Sequence, residues 1–343
     1  MKKIILVVVI LSMFLMSFGL ASQLTFLLCP KSLNNPYWMA VKLGEEAAAK
    51  LVNVDAIFDG PVNADAAAQA AKIMAYIGTH VNGIGISPVD DVAIVPTIQE
   101  ALKAGIPTIT FDSDAAPNSG RYVYVGTDNY TAGYAAGLAM AQAIKERLAS
   151  KPVINIAILT GGLAALNLNQ RIQGFKDALA AANLPNKINY VASPFPCNDD
   201  TAQAINIIKS VMAAYPDLDA WFMSGGWPLF APVDTFTSAM GGVDKAKQII
   251  TVSFDTLMPE LQLVKDGYVT ALIGQKPYEM GYLSVMILYD MNVFGVNETL
   301  KMLPIVQEPY GKDHIIDTGV NIVTQSNVDQ FIKEAPLTGG YAE

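Results

Sequence analysis

The sequence predicts an α/β protein made of two lobes, each built on a doubly wound parallel sheet. From Leu24 to at least Val323, apolar runs of roughly four to eight residues alternate with longer amphipathic stretches, which is the pattern of repeated strand-helix-strand units. Runs such as 154–159 are apolar at nearly every position, which indicates strands covered by helices on both faces. The chain has 343 residues, more than one core normally serves, so we expect two lobes.

The strands follow the apolar runs, and helices fill most of the gaps. We predict strands at 24–29, 52–58, 82–86, 106–111, 122–125, 153–159, 188–192, 219–223, 248–254 and 269–273. We predict helices at 37–50, 64–77, 91–104, 130–148, 169–182, 201–214, 257–266 and 277–293. One block of units ends near Gly126 and the next starts near Thr131, with no Pro/Ser-rich linker between them. Short crossovers should therefore join the lobes.

The first 21 residues are typical of an export signal. Lys2 and Lys3 precede an uncharged apolar run over 4–20, and small residues stand at Gly19 and Ala21 before a plausible cleavage point. A membrane anchor is the alternative, since the run is almost long enough to span a bilayer, but the small-residue ending favours cleavage. We expect a periplasmic or extracellular protein that has no stable membrane insertion after cleavage.

Composition and motifs argue against several classes of function. Loss of Lys2 and Lys3 with the signal takes the formal charge from -9 to -11, and no basic run follows, so we expect no nucleic-acid partner. His80 and His314 have no metal-ligand spacing with Cys or Asp, and no nucleophile elbow, P-loop or dinucleotide-binding glycine motif follows a strand. We therefore expect no metal, no cofactor and no enzymatic activity.

The two cysteines, Cys29 and Cys197, fall at or near strand ends in different predicted lobes. Export would permit a disulfide between them, but that bond would clamp the lobes together. We predict buried or semi-buried free thiols instead.

Polar residues follow most of the predicted strands, at the edge where doubly wound sheets bind ligands. They are mostly uncharged or acidic: Asn34, Asn35, Asp59, Ser87, Asp112, Thr127 to Asn129, Gly161, Gly162, Asn198 to Asp200, Ser224 to Gly226, Asp255 and Gln275. A phosphorylated ligand would call for Arg, Lys or a glycine-rich helix start. A neutral polyhydroxylated ligand fits better, because carboxylates and amides bond to vicinal hydroxyls while aromatic rings cover the apolar face of a sugar.

The first-lobe candidates are Asn35, Tyr37, Trp38 and Asp112. Asn35 has an alternative role as a helix cap, and Asp112 has one in an Asx turn. Tyr37 and Trp38 could both be core residues, but neighbours on a helix point about 100° apart, so at least one should face the strand ends.

The second-lobe candidates are Arg171, Asp199, Trp227, Asp255 and Gln275. Phe254-Asp255 repeats the Phe111-Asp112 pair, which suggests two acceptors facing each other across a cleft. Arg171 lies in the opening turn of a predicted helix, where a cation opposes the helix dipole. It is tolerated best there if it contacts a ligand or an acid, and a surface position is the alternative. Asp199 could serve only the dipole of the helix that follows it, and Trp227 could be interlobe packing. Gln275 lies between a strand and Lys276-Pro277, where the chain would cross between the lobes, and no neighbouring motif supports it as a ligand residue.

These residues stand in a chain that resembles the periplasmic binding proteins of the ribose/galactose class, which feed sugar ABC importers. The similarity runs from about Leu24 to Lys333 and is strongest to the glucose-binding proteins of thermophilic bacteria. It is carried by GRYVYVGTDNY at 120–130, QRIQGFKD at 170–177, MGYLSV at 280–285 and IDTGV at 316–320.

The resemblance implies a type I periplasmic binding protein fold with a three-crossover hinge at Thr127 and Gln275. It implies an N-terminal lobe of 22–127 plus 276–308, a C-terminal lobe of 128–275 plus 309–335, and a tail of 336–343. It also implies ligand contacts from Asn35, Tyr37, Trp38, Asp112, Arg171, Asp199, Asp255 and Gln275, to which we add Asn167 and Trp227.

The resemblance implies a solute-binding protein that closes on a monosaccharide, works with an ABC permease and is expected to be a monomer. Ribose binders carry Arg where this chain has Ser113 and Asn where it has Gly225, so ribose itself fits poorly. A glucose-like aldohexose is the first choice, with a pentose or a cyclic polyol as alternatives. An exported sensor that presents its ligand to a signalling receptor is the alternative function. A sugar-responsive repressor shares the fold but needs a DNA-binding N-terminus.

Overall fold

The computed structural model describes residues 23–308, 311–335 and 340–342. The predicted signal peptide, 1–21, lies outside the described residues. Fifteen strands are described: β1 Thr25–Cys29, β2 Asp55–Phe58, β3 Gly83–Ile86, β4 Thr108–Phe111, β5 Tyr124–Gly126, β6 Val153–Thr160, β7 Lys187–Tyr190, β8 Phe195–Pro196, β9 Ala220–Met223, β10 Ile250–Phe254, β11 Ala271–Gly274, β12 Val306–Glu308, β13 Gly311–Asp313, β14 Ile315–Asp317 and β15 Asn321–Thr324.

The α-helices of the described residues alternate with most of these strands. They are α1 Trp38–Val52, α2 Ala66–Gly78, α3 Val95–Lys103, α4 Asn129–Arg147, α5 Leu166–Ala181, α6 Thr201–Ala214, α7 Val233–Ala239, α8 Val243–Gln248, α9 Met258–Lys265, α10 Pro277–Val293, α11 Val296–Met302 and α12 Val328–Glu334. Short 3-10 helices lie at Pro117–Ser119 and Trp227–Phe230.

The described strands form two large sheets, which confirms the predicted two-lobed α/β fold, and β12 and β13 pair separately as a two-stranded antiparallel sheet. The first sheet has the order β14-β5-β4-β3-β1-β2 and its pairs are all parallel. The second has the order β15-β11-β10-β9-β6-β7, with β8 beside β6 and only β15 antiparallel. Alternate side chains of each central strand enter different cores: Phe26 and Leu28 pack on one side of the first sheet, and Leu27 and Cys29 on the other. Helices therefore cover both faces of the sheet, as its continuously apolar strands require.

The chain crosses between the lobes at three places, after β5, after β11 and after β14. The crossovers lie side by side: the Thr127 hydroxyl donates to Gln275 Oε1 at 3.1 Å, and the Thr318 amide donates to the Gly126 carbonyl at 2.8 Å. The lobe boundary predicted at 309 needs correction, because β14 pairs with β5 in the first sheet and the third crossover follows it.

The segment 336–343, predicted as a tail, also needs correction where it is described. The Ala342 amide donates to the Thr256 carbonyl at 3.1 Å, and the Met258 amide donates to the Gly340 carbonyl at 3.0 Å. Residues 340–342 are therefore held against the second lobe.

The remaining elements that were not predicted are short. Strands β8 and β12 to β15 have two to four residues, and α7, α8, α11 and α12 have six or seven. A helix of two turns or less carries too little periodicity to be recognised.

Each lobe contains a pair of helices that pack closely through glycines. A Cβ at Gly44 of α1 would overlap the Tyr278 carbonyl of α10, and a Cβ at Gly174 of α5 would overlap the Tyr130 carbonyl of α4. Because the overlapping atoms belong to the backbone of the partner helix and not to a flexible side chain, an alanine at Gly44 or Gly174 would fit only if the two helices moved apart.

We expect Gly174→Ala to lower the free energy of unfolding by about 1–3 kcal/mol, the usual cost of overpacking. Urea denaturation measures this loss. Gly78→Ala is the matched control, because a Cβ at the exposed C-terminal end of α2 has nothing within 4 Å, and this change should be neutral or slightly stabilising. Equal stability of the two variants would contradict the close packing of α4 and α5.

Glu45 of α1 is a buried acid, and its Oε1 has no hydrogen-bond partner within the described residues. Burial raises its pKa to about 8, with Glu46 adding to the shift and Lys42 opposing it. The folded protein therefore holds a proton that the unfolded chain releases near its ordinary pKa of 4.5, so unfolding becomes easier as pH rises from about 4.5 to 8.

We expect Glu45→Gln to flatten this decline and to stabilise the protein by about 1 kcal/mol or more at pH 8, since one pKa unit corresponds to about 1.36 kcal/mol. The gain should be smaller at pH 5. Melting temperatures of wild type and variant across this range test it. Glu100→Gln, at an exposed position on α3 away from Glu45, is the control and should change little. A constant difference at every pH would show that Glu45 does not titrate as described.

Both cysteines are buried free thiols, Cys29 in the first lobe and Cys197 in the second. Burial raises the pKa of each thiol to about 12, so neither is nucleophilic near neutral pH.

None of the helices in the described residues combines the length and the apolar character that a membrane span requires.

Candidate functional site

The ten predicted ligand residues line one chamber between the lobes, at the carboxyl ends of both sheets. The cavity that remains between the lining side chains has a volume of about 30 Å³. The structure gathers side chains that are far apart in sequence, and adds three lining residues that were not predicted. The lining comprises Lys31, Asn35, Tyr37, Trp38, Asp112, Asn167, Leu168, Arg171, Asp199, Gly225, Trp227, Asp255 and Gln275.

Asp112 is the centre of the first-lobe wall. It follows β4 in a left-handed conformation, with φ of 58°. Its Oδ1 accepts from the Tyr37 hydroxyl at 3.1 Å, and its Oδ2 accepts from the Ser87 hydroxyl at 2.7 Å. The Lys31 ammonium lies 3.5 Å from Oδ2. These contacts fix the carboxylate at the strand end, so the Asx-turn alternative is not its main role.

The aromatic pair at the start of α1 forms the adjacent wall. The rings of Tyr37 and Trp38 meet edge to face with centroids 4.9 Å apart, and Trp38 packs in the same way on Phe111 at 6.1 Å. Trp38 Nε1 is buried and has no acceptor among the described residues. A buried indole N-H usually finds an acceptor, so this donor is available to a ligand oxygen.

Helix α1 begins slightly later than predicted, at Trp38 rather than Tyr37. Tyr37, not Asn35, is the N-cap of α1; the Asn35 Oδ1 instead accepts from the Tyr37 amide at 3.0 Å and orders the turn before the helix. Its Nδ2 donates across the cleft to Asp199 Oδ1 at 3.2 Å. The alternative role of Asn35 as a helix cap is therefore wrong, and its side chain both orders this turn and reaches the chamber.

Arg171 organises the second-lobe wall. Its guanidinium donates to Asn129 Oδ1 at 2.8 Å, to the Ser224 carbonyl at 2.9 Å and to Gln275 Oε1. Its Cζ lies 4.2 Å from the centroid of the Phe254 ring. The side chain is 2% exposed, which rules out the surface alternative. Helix α5 begins at Leu166 rather than 169, so Arg171 lies beyond the first turn and Asn167 lies within it.

Asp255 mirrors Asp112 in the other lobe. It follows β10 with φ of 77°, so both Phe-Asp pairs end their strands in a conformation that is uncommon for residues with a side chain. Its Oδ1 accepts from Gln275 Nε2 at 2.8 Å, and its Oδ2 accepts from the Gly226 amide at 3.2 Å. Such strain is usually kept at functional positions.

Asp199 and Trp227 close the remaining side. The indole Nε1 donates to Asp199 Oδ1, and the ring lies so close to Gly161 and Gly225 that a Cβ at either glycine would overlap it. Asp200, not Asp199, caps α6, with its carboxylate accepting from the Gln203 amide at 2.7 Å. Asp199 is therefore free of the helix and faces the chamber.

Direct hydrogen bonds join the lobes around the chamber, so the structure is a closed form. Lys31 Nζ donates to Asn167 Oδ1 at 2.9 Å, and the Ser113 hydroxyl donates to the same oxygen at 3.2 Å. The Ser32 hydroxyl donates to Asp199 Oδ2. These pairs connect loops after β1 and β4 with α5 and the loop after β8.

Burial dominates the electrostatics of the chamber. It raises the pKa values of the Asp199 and Asp255 carboxyls, although Lys31 and Arg171 oppose the shifts. It also lowers the pKa of the Lys31 ammonium, which the carboxylates of Asp112 and Asp199 oppose. Burial raises the pKa of the Tyr37 phenol well above its ordinary value, so this hydroxyl remains a donor.

Lys31 and Tyr341 are the main site residues that the sequence did not reveal. Lys31 follows β1 by two residues, and a cation just beyond an apolar strand was an available signal. Tyr341 donates to Asp255 Oδ1 at 3.2 Å from a segment 86 residues away, and no local pattern marks it.

Comparison with known proteins identifies the chain's relatives. A family model described as a periplasmic binding protein domain matches residues 26–293. The xylose/arabinose-binding protein XylF of Sulfolobus acidocaldarius is 25% identical over 89% of this chain and 72% of its own.

Two solved structures are similar in sequence and fold. An ABC transporter solute-binding protein from Burkholderia graminis C4D1M, in complex with D-arabinose, is 29% identical with a TM-score of 0.72 over 90% of this chain and 97% of its own. GanP, a glucose-galactose binding protein from Geobacillus stearothermophilus, is 26% identical with a TM-score of 0.75 over 89% and 99% of the two chains.

Proposed function

Because this chain belongs to the periplasmic binding protein family, we propose that it is the exported sugar-binding component of an ABC importer and that it binds one monosaccharide between its lobes. The observation that carries the proposal is the chamber itself, in which acids, amides and aromatic rings from both lobes converge. The cavity of about 30 Å³ would have to widen to admit even a single sugar ring, which favours one sugar ring over a longer chain.

The chemistry of the chamber suits vicinal hydroxyl groups. Asp112 and Asp255 accept hydrogen bonds from opposite sides, while Arg171 and Lys31 supply buried donors. Trp38 and Trp227 offer apolar ring surface for the C-H face of a sugar. We propose a glucose-like aldohexose as the first choice, and a pentose as the alternative because arabinose occupies the Burkholderia relative.

Closure on the sugar follows from the placement of these groups. The three adjacent crossovers at Thr127, Gln275 and Thr318 would serve as the hinge, with rotation there separating the two walls. A sugar contacts both walls only in the closed form, so its binding shifts the population toward closure. The closed protein would then be presented to the permease as a monomer.

Thermal shift and tryptophan fluorescence with a panel of sugars test the proposal. The panel contains D-glucose, D-galactose, D-arabinose, D-xylose, D-ribose and myo-inositol, with glucose 6-phosphate as a charged control. At 100 times Kd, a sugar should stabilise the fold by about 2.7 kcal/mol. We expect an aldohexose to give the largest shift and the phosphate to give none. Absence of any shift across the panel would overturn the proposed function.

A further inference from the structure

Residues 340–342 pair with the chain directly after Asp255. The Met258 amide donates to the Gly340 carbonyl at 3.0 Å, and the Ala342 amide donates to the Thr256 carbonyl at 3.1 Å. The Thr256 hydroxyl donates to the Ala342 carbonyl at 2.6 Å. Tyr341 forms an antiparallel bridge with Leu257. The backbone of this segment is therefore fastened to the second lobe, next to one of the two chamber aspartates.

Side chains of the same segment enter the cores of different lobes. Ala342 packs in the second-lobe core, whereas the Tyr341 ring belongs to the first-lobe cluster that contains Tyr37 and Trp38. The centroids of the Tyr341 and Tyr37 rings are 5.8 Å apart, with the planes at 76°. Tyr341 is 2% exposed, and its hydroxyl donates to Asp255 Oδ1 at 3.2 Å.

We propose that residues 340–342 form an interlobe strap, and that Tyr341 is a positioning residue which orients Asp255 and favours the closed form. The strap moves with the second lobe because its backbone is bonded there. Opening would withdraw the Tyr341 ring from Tyr37 and expose it to water, which costs free energy. The inference rests on the proposed function, since it concerns affinity for a sugar in the chamber.

Tyr341→Ala and Tyr341→Phe separate the two parts of this role. We expect Tyr341→Ala to raise Kd about tenfold or more, mostly through faster dissociation, because the variant loses an aromatic contact that forms only on closure. Tyr341→Phe keeps the ring and should recover most of the affinity. The readouts are calorimetric Kd and stopped-flow dissociation rates with D-glucose, or with D-arabinose if glucose does not bind.

Tyr130→Phe is the matched control. The Tyr130 hydroxyl also donates to a carboxylate, Asp177 Oδ2 at 3.0 Å, but the residue is 43% exposed and lies outside the chamber. Its Kd should stay within about twofold of wild type, because a surface hydrogen bond contributes little.

Several results would overturn the strap. Wild-type affinity and dissociation rate in Tyr341→Ala would do so, as would a loss in Tyr341→Phe equal to that in Tyr341→Ala, because the ring contact would then contribute nothing. If Tyr341→Ala melts far below wild type, the milder Tyr341→Leu keeps an apolar side chain in the core while removing the hydroxyl and the aromatic ring, and wild-type affinity there would equally refute the strap. Unprotected amides of Met258 and Ala342 in hydrogen exchange would exclude it without any sugar. Failure of wild type to bind any panel sugar would instead refute the proposed function.

Discussion

Arg171→Met should abolish measurable sugar binding and lower the free energy of unfolding by about 3 kcal/mol. The change leaves the oxygens of Asn129, Ser224 and Gln275 without the donor that they share. A buried acceptor that loses its partner costs about 1–3 kcal/mol. We expect partial rearrangement around the three acceptors to keep their total cost near the lower bound, which is about 3 kcal/mol. Calorimetry with the panel sugars and urea denaturation measure the two effects.

Two further variants make the Arg171 experiment specific. Arg171→Lys keeps the charge but cannot reach three acceptors with one planar group, so we expect only partial recovery of stability. Gln170→Met makes a similar change at the exposed neighbouring position on α5 and should leave binding intact. Full affinity in Arg171→Met would remove this residue from the proposed site and leave it a purely structural role.

The sequence predicted most of the chamber because parallel strands carry their polar residues to one edge. Asp112 and Asp255 each follow a buried Phe at a strand end, so their positions could be derived from the sequence alone. Arg171 stood out because a cation near the start of a helix is unfavourable unless it has a partner.

The parts that could not be predicted lack local signals. The N-caps of α1 and α5, Tyr37 and Ala165, make no side-chain capping bond, so no capping signal defines the first residue of either helix. The strap depends on pairing between residues more than 80 positions apart, which neither propensity nor periodicity encodes. Lys31 did have a local signal, its place just beyond an apolar strand, but its burial depends on Asn167 of the second lobe and exists only once both lobes are assembled.

Asp112→Asn should raise the Kd for the sugar about a hundredfold while leaving the fold in place, because hydrogen bonds to a charged group contribute about 1.5–3 kcal/mol each and 1.4 kcal/mol is tenfold. Asn tolerates the left-handed conformation that Asp112 adopts, so the backbone need not change. The amide nevertheless lacks the charge that faces Lys31, and it can accept through only one of its two polar atoms.

Asp200→Asn is the matched control for this change. Asp200 neighbours Asp199 but caps α6, and Asn caps helices as well as Asp does, so binding and stability should both be retained. Calorimetric titration of both variants, with melting temperatures to verify folding, decides the result. Equal affinities of Asp112→Asn and wild type would mean that the sugar does not bond to this carboxylate and is held by other residues of the chamber.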